Sequence, residues 1–401
     1  MSATQAAPSR TTSTTVRTVD ETTYWSCLRT SHHAGFQQTP AWGRARSTDW
    51  RPELVGWYDA DEHLIGVALI RYRELPVLRR SLAIIAQGPV LDWEHGDLPE
   101  LLRALREHAR TRHAFALVVV PPLSSHRWDA TTVKAALADP ALTGWSQLPP
   151  DLVDPVGRRA VAALEQEGWH RLPQDGILDS TQPLHNAWLP LGGRSEEEIL
   201  SGMTRTWRKN IRRAEREGVV IREATRADLS AVQRIYTETA QRQGFDTQPL
   251  EYFEAMWDAL GADGPGRFHL DLAVHEGDLL SASGTAQAAF RAQGVFAANG
   301  SANRHLKSSN ALYLARIRHA RADGADDFDL GGVASSLDAD GPEAGLLLFK
   351  ADMGGEFREY IGGWEMVLDP LVHALFTRLL PLRTAARRLA HRVPRTIRAR
   401  T

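Results

Sequence analysis

The chain of 401 residues carries 47 lysines and arginines against 49 aspartates and glutamates, a net charge of −2, with 43% hydrophobic and 24% charged residues. That length suits two domains with ordinary globular cores, and the near-zero charge excludes a globally basic nucleic-acid binder while leaving local basic faces open. One cysteine, Cys27, excludes an internal disulfide framework, a CxxC motif and a thiolate metal cluster, and places the expected home in the cytoplasm.

Met1 to Val19 is rich in Ser, Thr and Ala without an apolar core, so it reads as a disordered leader rather than a signal peptide. A helical opening at Glu21–Arg29 follows. The alternating segments Glu53–Asp59 and Leu64–Arg73 form a hairpin across Ala60-Asp61-Glu62-His63. A strand at Leu82–Gln87 ends at Gly88-Pro89. The order then continues with a helix at Asp97–Thr111, a strand at Phe115–Val120, and helices at Thr131–Leu137 and Pro155–Gly168. No apolar run reaches the roughly 18 residues that a membrane-spanning helix needs.

Ser195 with Glu198 makes a capping box, and Leu200, Met203, Trp207, Ile211 and Ala214 fall at helical spacing, so one long helix is predicted from Ser195 to the stop at Gly218. A strand at Val219–Glu223 and helices at Ala227–Gln243 and Pro249–Leu260 come next. A second hairpin pairs Phe268–Val274 with Leu279–Phe290 across His275-Glu276-Gly277-Asp278. A strand at Gly294–Ala298, a helix at Asn310–Ala322 and strands at Asp327–Leu330 and Leu346–Phe349 finish the unit. The second half thus repeats the element order of the first, which implies two mixed α/β units. The closing stretch Glu359–Leu368 is expected to return to the first unit.

Three features carry candidate chemistry. The helix from Ser195 exposes Arg205, Arg208, Lys209, Arg212, Arg213 and Arg216, offset by Glu215; this is a phosphate-contacting face or a solvated helix end. Beyond Asp369 the chain has no acid but carries Arg378, Arg383, Arg387, Arg388, Arg392, Arg395, Arg398 and Arg400 beside a leucine side, a tail suited to RNA, to anionic lipid in a peripheral membrane contact, or to a packed helix with a basic end. Lys350, one of only four lysines, closes the apolar run Gly345–Phe349, where a compact ammonium can stabilise an oxyanion or simply snorkel from a strand end. Hydrolase elbows, zincin motifs, Walker loops and the dinucleotide fingerprint are absent, and His32-His33 lacks further ligands at metal spacing, so no metal is expected. An acyl-CoA enzyme needs a glycine-rich pyrophosphate loop; the nearest segment, Arg321-Ala322-Asp323-Gly324-Ala325-Asp326, ends in an acid that repels phosphate, which argues against acetyl-CoA.

Taken with Gln38-Thr39-Pro40-Ala41-Trp42, Gly88-Pro89, Thr206–Glu215, Pro249-Leu250-Glu251-Tyr252-Phe253, Asp329-Leu330-Gly331-Gly332 and Phe349-Lys350, the chain resembles the FemABX family of aminoacyl-tRNA-dependent peptidyltransferases, in its FemX-like form without a coiled-coil arm. The resemblance implies two tandem GNAT-like domains, 20–192 plus 356–401 with the basic tail and 193–355, after the leader 1–19. It implies no cofactor, aminoacyl-tRNA as co-substrate, and Lys350 as the transition-state residue with Phe349 beside it; with that donor, Arg205, Arg208, Lys209, Arg212 and Arg213 of the basic helix are the candidate tRNA contacts. Trp42, Arg44, Gln248, Tyr252 and Ala298 are its acceptor-site positions. Gln248 stands where the family has an Arg on the acceptor diphosphate, and Ala298 where it has a Tyr. The implied acceptor is a peptidoglycan precursor, UDP-MurNAc-pentapeptide or lipid II; the alternatives are a soluble peptide natural product, as in antibiotic biosynthesis, and behind it an acyl-CoA-dependent GNAT reaction.

Overall fold

The computed structural model describes residues 14–47, 50–75, 78–173, 182–261, 267–341 and 343–378. Two mixed sheets organise them. The first runs, edge to edge, Thr15–Thr18, Arg51–Tyr58, Leu64–Leu75, Arg80–Ala86, Ala114–Val120, Trp364–Val367 and His170–Arg171. The second runs Val220–Glu223, Arg267–His275, Asp278–Ala288, Arg291–Asn299, Asp327–Gly332, His185–Pro190, Glu356–Tyr360, Ser124–Trp128 and Leu152–Val153. Each begins as a four-stranded antiparallel meander whose last strand pairs in parallel with a fifth. The duplication read from element order is therefore present in the register.

Local chemistry explains the hairpins. The turn at Glu276-Gly277 places both residues at positive φ, 50° and 88°, which suits the twist of a two-residue hairpin. In the first hairpin the Asp59 carboxylate accepts from the backbone N–H groups of Asp61 and His63, both at 2.9 Å. Pro at the first helical turn and an Asp cap start both Leu98–Thr111 and Pro155–Gln166.

Four expectations need correction. Thr15–Thr18, read as part of the disordered leader, is an edge strand whose Val16 pairs with Trp57; the remaining leader residues 1–13 lie outside the described residues. The long helix breaks in two, Glu196–Gly202 and Arg205–Arg216, because Met203 is extended and Thr204 caps the second piece by accepting from Trp207 N–H. Leu346–Phe349 is not a strand but lies in the helix Ala344–Asp352. A short apolar run fits either periodicity; here Leu347, Lys350 and Ala351 are buried at helical spacing while Leu346 and Leu348 face out. The strands Ser124–Trp128 and His185–Pro190 were not foreseen, and both belong to the second sheet although they precede it in sequence.

Those crossings tie the two sheets together. Of the stretch 356–401, Glu356–Tyr360 pairs with His185–Pro190 in the second sheet, and Trp364–Val367 pairs with Ala116–Val119 in the first. A short helix over 370–378 follows, with Phe376 packed on Phe115. Arg378 is exposed there, while Arg383, Arg387, Arg388, Arg392, Arg395, Arg398 and Arg400 lie outside the described residues.

Candidate active site

The two parallel strand pairs differ in one respect that creates the site. In the first sheet Arg80–Ala86 stays paired with its parallel neighbour from Ser81 to Ala86. In the second, Arg291–Asn299 pairs with Asp327–Gly332 only at Arg291–Gln293 and then diverges. Two register shifts accompany the divergence, one opposite Gly284/Thr285 and one between Asp329 and Gly331 in the pairing with His185–Pro190. The opening is a cavity of about 320 Å³ between the sheets, walled by Gly294–Ala297 on one side and Asp329–Gly332 on the other. Phe36 and Gln37, on a turn of the first unit, and Gln87, beside Gly88-Pro89, close it from above.

The motif Gln38-Thr39-Pro40 positions that roof. Gln38 is fully buried, donates to Ala86 O at 2.6 Å and accepts from Leu69 N–H at 2.9 Å. Thr39 caps the helix Pro40–Ala45. Phe36 N–H then donates to Gln293 Oε1 at 2.9 Å, a direct stitch between the units at the cavity.

The floor is polar and buried. Asp329 accepts from Asn186 Nδ2 at 3.0 Å on both oxygens and from Gly331 N–H at 2.7 Å. Burial pushes its carboxyl up, opposed by the Gly331 bond and the nearby Lys350 charge. Lys350, 3% exposed, ends the helix Ala344–Asp352 and donates to Gly331 O at 2.8 Å and Gly332 O at 2.6 Å. Burial pulls its ammonium down to about 8, with Asp329 working against the shift. Gly331 is at φ +88°, so its carbonyl can turn toward Lys350 without a Cβ penalty. The ammonium thus sits directly behind the Gly331-Gly332 wall of the cavity.

The positions singled out from sequence divide into three places. Phe349 packs its ring 5.1 Å from Trp207 and 5.5 Å from Tyr313, and Tyr313 lines the cavity, so Phe349 buttresses the site one ring back. Trp42 touches the cavity roof edge-on through Phe36 at 5.1 Å. Trp42 and Tyr252 share a cation, Arg46, at 5.8 Å from each ring. Arg46 in turn helps lower Arg71 to about 10, although burial is the larger cause. Arg44 points outward and pairs with Glu21 at 2.8 Å. Ala298 is buried in the core of the second unit, and Gln248 is half-buried with its carbonyl accepting from Gln233 at 3.4 Å. Arg44, Gln248 and Ala298 are therefore not brought to the cavity.

On the basic helix, Arg205, Lys209 and Arg212 are exposed, and Arg213 is half-buried. Arg208 is spoken for: its Nη1 donates to the carbonyls of Leu200, Ser201 and Met203 at 3.0–3.1 Å, closing the end of the preceding helix. Elsewhere, among the described residues, Glu223, His269 and His319 offer ligand atoms within 4.8 Å of one another. There His269 bonds Glu223 at 2.8 Å and Asp323 at 2.7 Å.

The FemAB family profile matches residues 19–264, and an acetyltransferase (GNAT) domain profile matches residues 201–342. The chain belongs to the FemAB family. It is similar to the lipid II:glycine glycyltransferase of Staphylococcus aureus, 22% identical over 431 residues that cover 89% of this chain and 95% of the relative. The enzyme of the same name from Staphylococcus saprophyticus is 22% identical over 427 residues, covering 89% and 96%. The crystal structure of FemX superposes with a TM-score of 0.73 at 19% identity over 90% of this chain and 99% of that one, a likeness of fold.

This FemAB protein is an aminoacyltransferase built from two tandem GNAT-like domains. Asn186, Gln293, Arg316, Asp329 and Gln87, all on the wall of its cavity, were not singled out as site residues from sequence. A signal existed for three of them: Gln293, Arg316 and Asp329 are polar side chains at positions whose strand or helix neighbours are buried and apolar. No described helix is long and apolar enough to cross a membrane.

Proposed function

We infer that this protein transfers an aminoacyl group from aminoacyl-tRNA to an amine of a peptide acceptor. The acceptor nitrogen attacks the ester carbonyl carbon, the bond to the ribose oxygen breaks, and that oxygen takes up the proton released by the amine. An aminoacyl ester is already activated, so positioning and charge stabilisation supply most of what the reaction needs. The observation that carries this reading is the buried Lys350 ammonium, fixed by the carbonyls of Gly331 and Gly332 directly behind the cavity wall, where its charge would stabilise an oxyanion developing against that wall. Phe349 backs Tyr313, which lines the same cavity. Arg205, Lys209 and Arg212 are the exposed cations best placed to meet a nucleic-acid backbone.

The first acceptor is a peptidoglycan precursor, supported by similarity to enzymes named lipid II:glycine glycyltransferase. A soluble natural-product peptide is the second reading, favoured because Gln248 and Ala298, where the resemblance expects the charged and phenolic grips on a diphosphate, have neither that chemistry nor a place on the cavity wall. A panel of charged tRNAs assayed with lipid II, UDP-MurNAc-pentapeptide and free pentapeptide separates them. Ribonuclease-sensitive transfer to the precursors supports the first reading, and transfer to the free peptide alone supports the second. Transfer that needs acetyl-CoA and survives ribonuclease would overturn both.

A further inference from the structure

Arg316 lies mid-way along the helix Ser308–Ala322, is 1% exposed, and lines the cavity. Its Nε donates to Thr285 Oγ1 at 2.8 Å, and its guanidinium carbon lies 4.6 Å from the Tyr313 ring centre and 5.0 Å from that of Phe328. Nη2 reaches the cavity wall at Gly294, where an added Cβ would come within 2.8 Å of it. Among the described residues no ion pair to Arg316 is recorded. A guanidinium buried without a counter-charge is costly, and a ligand anion entering the cavity would offset that cost through charge-assisted bonds to its fork of donors.

The other groups on the wall narrow the anion. Phe36 and Phe296 set aromatic rings on the wall beside Tyr313, against which a nucleobase can pack. Asp329 offers a carboxylate to an ammonium. An attacking acceptor amine must be unprotonated, so that carboxylate suits the α-ammonium of the donor instead. An anion, a base and an α-ammonium occur together at the aminoacylated end of a tRNA.

We propose that Arg316 is the anchor for the last phosphodiester of the donor's 3′ end, setting the ester carbonyl against the Gly331-Gly332 wall. This rests on the aminoacyl-tRNA reading above. Gly294 is glycine because a side chain there would displace the guanidinium. The phosphodiester is held by Arg316 and the terminal base by the rings, which makes recognition independent of the amino acid carried.

The test is calorimetric binding of the dinucleotide cytidylyl-adenosine and of its methylphosphonate analogue, which has the same shape and a neutral linkage, to the full-length protein. Wild type should prefer the charged dinucleotide by about tenfold or more. Arg316→Gln should bind both equally. Arg316→Lys should keep part of the preference, since it holds a point charge without the planar fork. Gly294→Ala should weaken the charged dinucleotide more than its analogue and so reduce the preference. If Arg316→Gln does not fold, Arg316→Lys and Gly294→Ala decide. No preference in wild type, an undiminished preference in these variants, or Arg316-dependent binding of a D-alanyl-D-alanine peptide in place of the dinucleotide would each overturn the proposal. Transfer from charged tRNA without an Arg316-dependent preference sinks this inference alone. The converse result sinks the reaction reading and leaves the binding site standing.

Discussion

Raising the pH titrates the one buried lysine that the proposed reaction depends on. Burial holds the Lys350 ammonium at about 8, against 10.5 for a lysine in water. If the ammonium stabilises the oxyanion, the single-turnover rate, divided by the unprotonated fraction of the acceptor amine, follows the protonated fraction of Lys350 and should fall about tenfold between about pH 7 and about pH 9. Short reaction times keep hydrolysis of the donor ester out of the measurement. Lys350→Ala should lose about 10²–10³-fold in rate and show no such limb. The same titration has a stability consequence of opposite sign. Between about pH 8 and 10.5 the unfolded chain holds a proton that the folded chain has released, so this group adds stability as pH rises, about 3 kcal/mol in all. Denaturant unfolding of wild type minus Lys350→Met isolates it from other titrations. A rate that stays flat from neutral to alkaline pH after division by the unprotonated fraction of the acceptor would refute the catalytic assignment. A flat stability difference would refute the burial argument itself.

Three further outcomes follow from neighbouring contacts. Gly331→Ala forces a side chain into φ +88° and sets its Cβ 3.6 Å from Lys350 Nζ; it should cost about 1–2 kcal/mol in denaturant unfolding and reduce transfer more than stability alone explains. Arg208→Ala should destabilise by about 1–3 kcal/mol by freeing three carbonyls, yet leave salt-dependent tRNA binding nearly intact, whereas Arg205→Ala, Lys209→Ala and Arg212→Ala should do the reverse in a filter-binding titration. Glu53, buried among His108, Thr18, Arg112 and Tyr72, pays a desolvation cost that these bonds outweigh, so its carboxyl is held well below the usual range. Its contribution is present above the ordinary glutamate value and lost as pH falls, and Glu53→Ala should cost about 3–5 kcal/mol in unfolding at neutral pH.

Much of the molecule is legible in the chain because its signals are local. The hairpin at Glu276-Gly277, the helices that open at Leu98 and Pro155, and the Ser195 capping box are settled by a few adjacent residues and appear where the sequence puts them. The order of strands and helices in each half is equally local, and it carries the duplication. Thr204 shows the limit of this legibility: a threonine inside a helical pattern is a cap only when the turn before it has a reason to end, and Arg208 supplies that reason from the next helix.

What the tertiary structure alone decided is the site. The periodicity of Leu346–Phe349 is compatible with strand or helix, and only burial of Leu347 and Ala351 against neighbouring elements selects the helix that aims Lys350 at Gly331 and Gly332. The cavity exists because two parallel strands part after Gln293 and Asp329, beside register shifts in their pairings with Asp278–Ala288 and with His185–Pro190, the latter more than a hundred residues earlier in the chain. Arg316 and Asp329 face that space from a helix and a strand that no sequence spacing relates. By itself the sequence determined which residues could carry charge into a core, through composition and pattern; the fold determined which of those charges meet, since that depends on contacts between segments far apart along the chain.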